Sequence, residues 1–220
     1  MHAELNATGA GVSLGRVERL MRVNGLQAKQ GRKNQQRQQH KNANAPADNF
    51  LDRQFSADAV NKKWVSDITF IETREGFLYL AVILDLFSRA VIGWSMSQKI
   101  DEQLIQGALS MAVDRRRIGL GLLLHSDQGS QYKAKGYQQR MRDLGIICSM
   151  SRKGECHDNA VAESFFHSLK TELICDDVYA SRAKARQEIF KYIEIFYNRK
   201  RRHSTLGYQA PYVYEMMHAA

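Results

Sequence analysis

Three acidic residues occupy positions that a folded chain disfavours for a carboxylate. Asp67 interrupts an alternating stretch rich in β-branched and aromatic residues, and Asp127 directly follows the apolar run GLLLH. Glu163 lies in a segment whose apolar spacing predicts a helix. A carboxylate in or beside a buried strand costs free energy to desolvate unless it is paired or bound to a cation. Each residue alone could cap a turn or face solvent, but the three together indicate one shared site.

The residue types in this set favour a particular chemistry. Hard divalent cations such as Mg²⁺ and Mn²⁺ prefer oxygen ligands, commonly one or two carboxylates with a phosphate substrate completing the shell. Two such ions about 3.5–4 Å apart can activate an attacking oxygen and stabilise the leaving one during phosphoryl transfer. Asp67, Asp127 and Glu163 offer this set of ligands. We therefore expect a site for two Mg²⁺ (or Mn²⁺) ions.

Two other combinations of polar residues predict no reactive site. Asp85 ends a strand and opens the LFSR turn, so we expect it to be structural. His125, Ser126 and Asp127 contain the residue types of a hydrolase triad. Successive residues on a strand point to opposite faces, however, so these three cannot align as base, nucleophile and orienter. We expect His125 to be packed, or to lie near the substrate.

The elements that must position the carboxylates follow from the pattern after Trp64. The stretches KKWVSDITFI, FLYLAVILD and AVIGWSM predict three strands with short connections, an antiparallel meander. The resulting order β-β-β-α-β-α-β-α predicts an α/β mixed sheet with helices on both faces, because the middle run is apolar on both sides. The later elements are predicted as a helix over 101–117, a strand in GLLLHSD, a helix over 134–144, a strand over 146–150 and a helix over 159–173.

The flanking segments complete the expected domain organisation. Residues 1–27 predict two short helices around a pair of glycines, a partial helix-turn-helix, with Leu14, Val17, Leu20 and Met21 on one stripe. Residues 28–60 form a basic linker, because residues 28–48 hold hardly an apolar side chain. Residues 61–178 form the core, and residues 179–220 a helical extension. In this extension Ser181 caps a helix that turns Ala185, Ile189, Ile193 and Phe196 inward.

Composition and charge narrow the classes of protein. A hydrophobic fraction of 44% excludes a disordered tail, and the net charge of +9 favours an acidic partner, with nucleic acid leading. Seven Lys or Arg and no acid lie between residues 19 and 47, and RKRR occupies 199–202. From charge alone, a solvated face explains such runs equally well. The chain has no apolar run of 18 residues, no secretory pattern and three cysteines without a CxxC pair, so we expect a cytoplasmic protein without membrane or disulfide framework.

From about Trp64 to Pro211 the chain resembles the catalytic core of bacterial insertion-sequence transposases of the OrfB type, the DDE class related to retroviral integrases. Between Asp127 and Glu163 lie 35 residues, the spacing characteristic of that family, and Lys170 stands seven after Glu163, where the family places a basic residue. The resemblance implies a ribonuclease H-like fold, with Asp67, Asp127 and Glu163 as catalytic metal ligands in DNA strand cleavage and strand transfer. The matching stretches are WVSDITFI, LDLFSRAVIGW, LLLHSDQGSQY, SRKGECHDNAVAESFFHSLKTEL and YNRKRRHSTLGYQAP.

Helical geometry ties Lys170 to Glu163. Seven residues turn through about 700° and rise about 10 Å, so both side chains project from nearly the same face. Lys170 could then contact a phosphate or base further along the strand that Glu163 acts on. Asn159 joins this face one turn earlier and could position the carboxylate or the DNA. Further DNA contacts are expected from Arg152 and Lys153 before this helix, and from Arg199, Arg201 and Arg202 after the last predicted one.

The resemblance also implies partners and leaves two alternatives. The expected partners are transposon-end and target DNA, further copies of the chain on that DNA, and a polypeptide from an upstream frame, or a fusion to it, near the bacterial nucleoid. In the family the helix-turn-helix follows further upstream residues, whereas this chain begins within its first helix. A truncated, non-catalytic DNA-binding regulator or remnant is therefore the alternative. A ribonuclease H-type nuclease would share fold and metals but gives no reason for the 35-residue spacing with Lys170.

Overall fold

A computed structural model of the chain describes residues 1–26, 46–175 and 177–218, without the side chain of Cys156. The strands and helices follow the predicted order, and that prediction is confirmed. The five strands are β1 (Lys63–Ile71), β2 (Leu78–Asp85), β3 (Val91–Ser97), β4 (Leu123–Ser126) and β5 (Ile147–Met150). The helices are α1 (His2–Ala7), α2 (Leu14–Val23), α3 (Glu102–Arg115), α4 (Lys135–Asp143), α5 (Ala160–Leu169), α6 (Arg182–Lys191) and α7 (Pro211–His218).

The five strands form one mixed sheet in the order β3-β2-β1-β4-β5. The first three strands are the antiparallel meander, whereas β4 lies parallel to both β1 and β5. The carboxyl ends of these three parallel strands therefore meet at one edge, where ligands gather in α/β sheets. Helices α3, α4 and α5 follow β3, β4 and β5 in the chain.

Both faces of the sheet are covered, as the apolar middle strand predicts. One apolar cluster includes Val65, Val82 and Phe165, and brings α5 and α6 onto one face. The second includes Trp64 and Leu109, and brings α3 and α4 onto the other. Burial of these side chains supplies the main driving force that holds the strands of this edge in place.

One predicted core position, Phe196, is wrong because the helix changes its period before this residue. Helix α6 begins at its Ser181 cap, as predicted, but after Lys191 it continues as a π-helical turn, Tyr192–Tyr197. The wider turn rotates the following side chains, so that Tyr197 is buried and Phe196 is 41% exposed. The prediction is right for Ala185, Ile189 and Ile193, and wrong for Phe196.

The segments before the sheet are of two kinds. Helices α1 and α2 form where predicted, and of the predicted apolar stripe only Val17 is buried. Residues 28–45 of the expected linker lie outside the described residues, but its remainder packs on the sheet. Leu51 is buried there, and the amides of Phe50 and Leu51 donate to Ser149 Oγ at 2.9 and 3.2 Å.

No helix in the described part of the chain has both the length and the apolar character needed to span a membrane.

Candidate active site

Asp67 and Asp127 lie on neighbouring parallel strands. Strands β1 and β4 are in register up to the pair Val65 and His125, and the two aspartates each follow two residues later. Parallel neighbours lie about 4.8 Å apart, and residues in the same register point to the same face. Continuing the register therefore places the two carboxylates side by side at the carboxyl edge of the sheet.

Backbone amides orient both carboxylates. Asp67 Oδ1 accepts a hydrogen bond from the amide of Ile68 at 2.7 Å, and this side chain is 5% exposed. Asp127 Oδ1 accepts from the amide of Gly129 at 3.0 Å, in the turn that follows β4. The turn thus fixes the orientation of the Asp127 side chain.

Tyr132 is a buried phenol beside both aspartates. Its hydroxyl shares a hydrogen bond of 2.9 Å with Ser66 Oγ, one residue before Asp67. Burial raises the pKa of Tyr132 well above its usual value, and the negative charges of Asp127 and Asp67 raise it further. Two carboxylates that act on one phenol must both lie near it, which agrees with the extended register. The sequence reasoning missed Tyr132, and an aromatic residue in the polar stretch SDQGSQY was its signal.

Asn159 joins the start of helix α5 to the strand that carries Asp67. A short 3-10 turn, Cys156–Asn159, leads into α5, and Asn159 Nδ2 donates to the carbonyl of Ser66 at 3.0 Å. Asn159 Oδ1 is buried and accepts no hydrogen bond from the residues that the structure describes. Glu163 follows one helical turn later and is exposed. The bond therefore places the helix that carries Glu163 against the strand that carries Asp67.

The structure brings the predicted triad to one edge without closing it into a single cluster. Within residues 1–26, 46–175 and 177–218, no three His, Cys, Asp or Glu side chains are grouped closely enough to hold a metal ion. Asp67 and Asp127 are adjacent by register, and Glu163 lies on the neighbouring helix.

Asp158 is the centre of a charged network that sequence reasoning missed. The side chain is buried and accepts three hydrogen bonds of 2.9–3.0 Å from Arg152, through its amide, Nε and Nη2. It accepts two more from Arg53 Nε and Asn49 Nδ2, at 2.7 and 3.0 Å. The hydrogen bonds from Arg152 hold the pKa of Asp158 well below its usual range, and those from Arg53 lower it further. Asn49 and Arg53 lie more than 100 residues away, in the expected linker, so no local pattern revealed the contact.

The predicted basic contacts have different surroundings. Lys170 begins the π-helical turn after α5, and its Nζ lies 4.9 Å from the centre of the Phe70 ring. Arg152 is half exposed but engaged with Asp158, and Lys153 is exposed in the same loop. The three C-terminal arginines all bond within the chain: Arg201 Nη2 to Glu172 Oε1 at 2.7 Å, Arg202 Nε to Glu4 Oε2 at 2.7 Å and Arg199 Nε to the Glu194 carbonyl at 3.1 Å.

Two predicted structural residues are found as expected. His125 is buried, with Nδ1 2.9 Å from Ser149 Oγ and Nε2 3.1 Å from Ser151 Oγ. Burial lowers the pKa of His125 to about 4, so the ring is neutral at pH 7. Asp85 is also fully buried and accepts hydrogen bonds from backbone amides.

Comparisons with known proteins agree with this arrangement. Two family models, each described as an integrase core domain, match residues 57–156 and 144–211. The transposase of insertion sequence element IS904 from Lactococcus lactis is 45% identical over 211 residues, covering 96% of this chain and 83% of that protein. Transposase InsF of IS3fB from Escherichia coli is 43% identical over 217 residues, covering 99% of this chain and 75% of that protein.

The fold also matches a solved viral structure. The catalytic core domain of HTLV-2 integrase, in complex with magnesium and in a trimeric form, superposes with a TM-score of 0.54. Sequence identity is 17%, and the match covers 71% of this chain and 97% of the viral domain. The predicted ribonuclease H-like fold of the retroviral integrase core is therefore confirmed.

Proposed function

Because the chain belongs to the insertion-sequence transposases with an integrase core domain, we propose that it cleaves and transfers DNA strands through Asp67, Asp127 and Glu163. Membership of this family makes the chain a polynucleotidyl transferase, the predicted enzyme class. The observation that carries the catalytic proposal is the parallel register of β1 and β4, which sets Asp67 beside Asp127. The bond from Asn159 to Ser66 supports the place of Glu163 at the same edge.

The donor chemistry of the three carboxylates suits a pair of Mg²⁺ or Mn²⁺ ions. Asp67, Asp127 and Glu163 would hold the ions, with oxygen ligands only. The buried Asn159 Oδ1, which meets no donor among the described residues, is a ready acceptor for a water molecule of this site. When bound, such ions would lower the pKa of an attacking hydroxyl and stabilise the charge that develops on the phosphate.

The chain's own residues then bind and orient the reactants. Backbone amides hold one oxygen of Asp67 and one of Asp127, so neither carboxylate has to reorganise during the reaction. Water, and then a DNA 3′-hydroxyl, attacks a phosphodiester in line, and the protein forms no covalent bond to DNA. His125 serves as neither base nor nucleophile, because it is buried and both ring nitrogens lie within hydrogen-bond distance of serine hydroxyls.

The wider assembly is proposed on the same basis. DNA ends and target DNA are the substrates, several copies act together on them, and a polypeptide from an upstream frame recognises the ends. Residues 1–27 contribute a partial helix-turn-helix and residues 28–60 a basic linker, followed by the core at 61–178 and the extension at 179–220. Among the expected DNA contacts, Lys170 has the best support, because it lies on the continuation of the helix that carries Glu163.

The direct test is strand cleavage and strand transfer on a duplex that carries the end sequence flanking the gene, with Mg²⁺ or Mn²⁺. The variants Asp127→Asn and Glu163→Gln should lose both activities while keeping DNA binding and the melting temperature. The matched control is Asp114→Asn, which removes an exposed carboxylate of α3 and should keep full activity. Full activity in either site variant would refute the catalytic role. A wild-type chain that binds this DNA but never cuts it would instead support the non-catalytic regulator.

A further inference from the structure

Two exposed phenylalanine rings lie together near the carboxylate edge. Phe70, on β1, is 47% exposed, and Phe77, just before β2, is 46% exposed. Their ring centres are 5.1 Å apart in an edge-to-face arrangement, and the ring of Tyr79 lies 6.3 Å from Phe77. Large aromatic rings usually bury most of their surface in a core or an interface. This aromatic pair, Phe70 and Phe77, is therefore a candidate contact surface.

The aromatic pair has a defined position relative to the proposed site. Phe70 follows Asp67 by three residues, which is about 10 Å along the strand, and this odd spacing turns its side chain to the opposite face of the sheet. Lys170 follows Glu163 by seven residues, which is about 10 Å along a helix. The two elements meet there, since Lys170 Nζ lies 4.9 Å from the centre of the Phe70 ring. A cation and an aromatic surface thus stand together, each about 10 Å along its own element from a proposed catalytic carboxylate.

We propose that the aromatic pair stacks an unpaired base of the DNA strand whose phosphate reacts, a role that rests on the proposed function. At 3.4 Å per base step, a separation of about 10 Å along the strand places this base at least about three nucleotides from the reacting phosphate. Cutting a strand removes the neighbour on which its terminal base was stacked, and an aromatic ring replaces that contact. Such stacking tolerates any base, because every base has a π-face.

DNA fits this surface better than a protein partner does. Two half-exposed rings are small beside the surface of about 800 Å² per partner that a stable protein interface buries. The ammonium of Lys170 over the Phe70 ring adds a positive charge, which complements a phosphate next to the stacked base. The net charge of +9 favours the same partner.

Photocrosslinking tests the contact directly. The probe is a duplex with a short single-stranded 3′ overhang that carries 5-iododeoxyuridine at one overhang position, incubated with the full chain. Long-wave ultraviolet light joins this base to an aromatic ring stacked on it, and peptide mass spectrometry locates the joined residue. We expect the crosslink on Phe70 or Phe77.

Variants separate stacking from folding. Phe70→Leu should abolish the crosslink at that ring and weaken binding of overhang DNA, relative to blunt duplex, by about tenfold. Phe70→Tyr should restore both. The matched control is Phe190→Leu, because Phe190 is 46% exposed and contacts the ring of Trp94 edge-to-face at 6.0 Å, much as the aromatic pair does. This control should keep the crosslink.

Each outcome decides the proposal. A crosslink that maps outside the aromatic pair, or that persists in both Phe70→Leu and Phe77→Leu, overturns it. Absence of the crosslink together with a self-association that Phe70→Leu abolishes overturns it as well, in favour of a contact between copies. Because crosslinking needs no cleavage, a chain that crosslinks at Phe70 yet lacks strand transfer would refute the proposed function and leave the stacking site standing.

Discussion

Asp67 and Asp85 are both buried aspartates of the same antiparallel strand pair, yet their surroundings differ. Asp67 lies opposite Val82, and Asp85 lies opposite Trp64, three residues back along β1. Asp85 Oδ2 accepts from the amide of Asn61 at 2.8 Å and Oδ1 accepts from the amide of Phe87 at 2.9 Å. One oxygen of Asp85 thus closes the turn after β2, and the other holds the segment that precedes β1.

Asp67 lies in the middle of β1, three residues beyond Trp64, where the neighbouring strand β4 ends and Asp127 follows it. Asp127 is its neighbour by register, and helix α5 is attached next to it through Asn159. Burial of a carboxylate therefore does not by itself mark a reactive site. Both aspartates accept hydrogen bonds from backbone amides. What separates them is the second carboxylate, Asp127, which the strand register places beside Asp67.

The largest expected effect is on strand transfer, when one carboxylate oxygen of each aspartate in turn is replaced by an amide nitrogen. Asp67→Asn should lower strand transfer by about 10³-fold, because it removes a metal ligand worth several kcal/mol in the transition state. Asp85→Asn should leave the rate per folded molecule unchanged. Its free energy of unfolding should fall by about 1–3 kcal/mol, because a buried hydrogen-bonding group is altered. Single-turnover strand transfer and urea denaturation measure the two effects.

The comparison fails if the two variants behave alike. A loss of strand transfer in correctly folded Asp85→Asn would mean that the turn at Asp85 is coupled to the Asp67 site. Normal activity in Asp67→Asn would remove Asp67 from the site.

The strands and helices could be predicted from the sequence because they depend on local patterns, and the triad, which rests on such patterns and on the family resemblance, stays a prediction. Apolar periodicity predicts the strands and helices, and the two aspartates stand out as polar residues in or next to apolar runs. Phe196 was misplaced because a change to a π-helical turn leaves the apolar spacing unchanged. The network of Asp158 with Arg53 and Asn49 was invisible for another reason, since it joins segments more than 100 residues apart. Long-range hydrogen bonds of charged side chains have no period to detect.

A smaller effect distinguishes Asp158 from Asp85 through pH. Hydrogen bonds from Arg152 hold the pKa of Asp158 below its unfolded value, so its stabilising contribution is present above about pH 4 and is lost as pH falls further. Burial raises the pKa of Asp85, so the folded state keeps a proton that the unfolded state has released. Its contribution therefore falls as pH rises from about 4 through the folded pKa.

Urea denaturation between about pH 3 and about pH 7 measures these opposite slopes. Asp158→Asn should flatten the loss of stability on the acid side, and should lower the free energy of unfolding at neutral pH by about 2 kcal/mol. Asp85→Asn should flatten the decline in the free energy of unfolding as pH rises above about 4. The difference in free energy of unfolding between wild type and each variant should change with pH in opposite directions for Asp158 and Asp85. Slopes of the same sign would contradict the surroundings described for these two residues.

The smallest expected effect is on the salt dependence of DNA binding. It compares a cation that is exposed with one that is bonded within the chain. Lys153 is exposed in the loop before α5, whereas Arg201 lies within hydrogen-bond distance of Glu172 and Ser168, although the sequence predicts both as DNA contacts. A lysine that neutralises one phosphate contributes about 0.9 to the slope of log affinity against log salt concentration. Lys153→Gln should therefore reduce this slope by about one, measured by fluorescence anisotropy on a non-specific duplex. Arg201→Gln should leave the slope unchanged and lower the melting temperature instead. An equal change of slope in both variants would mean that Arg201 leaves Glu172 for phosphate when DNA binds.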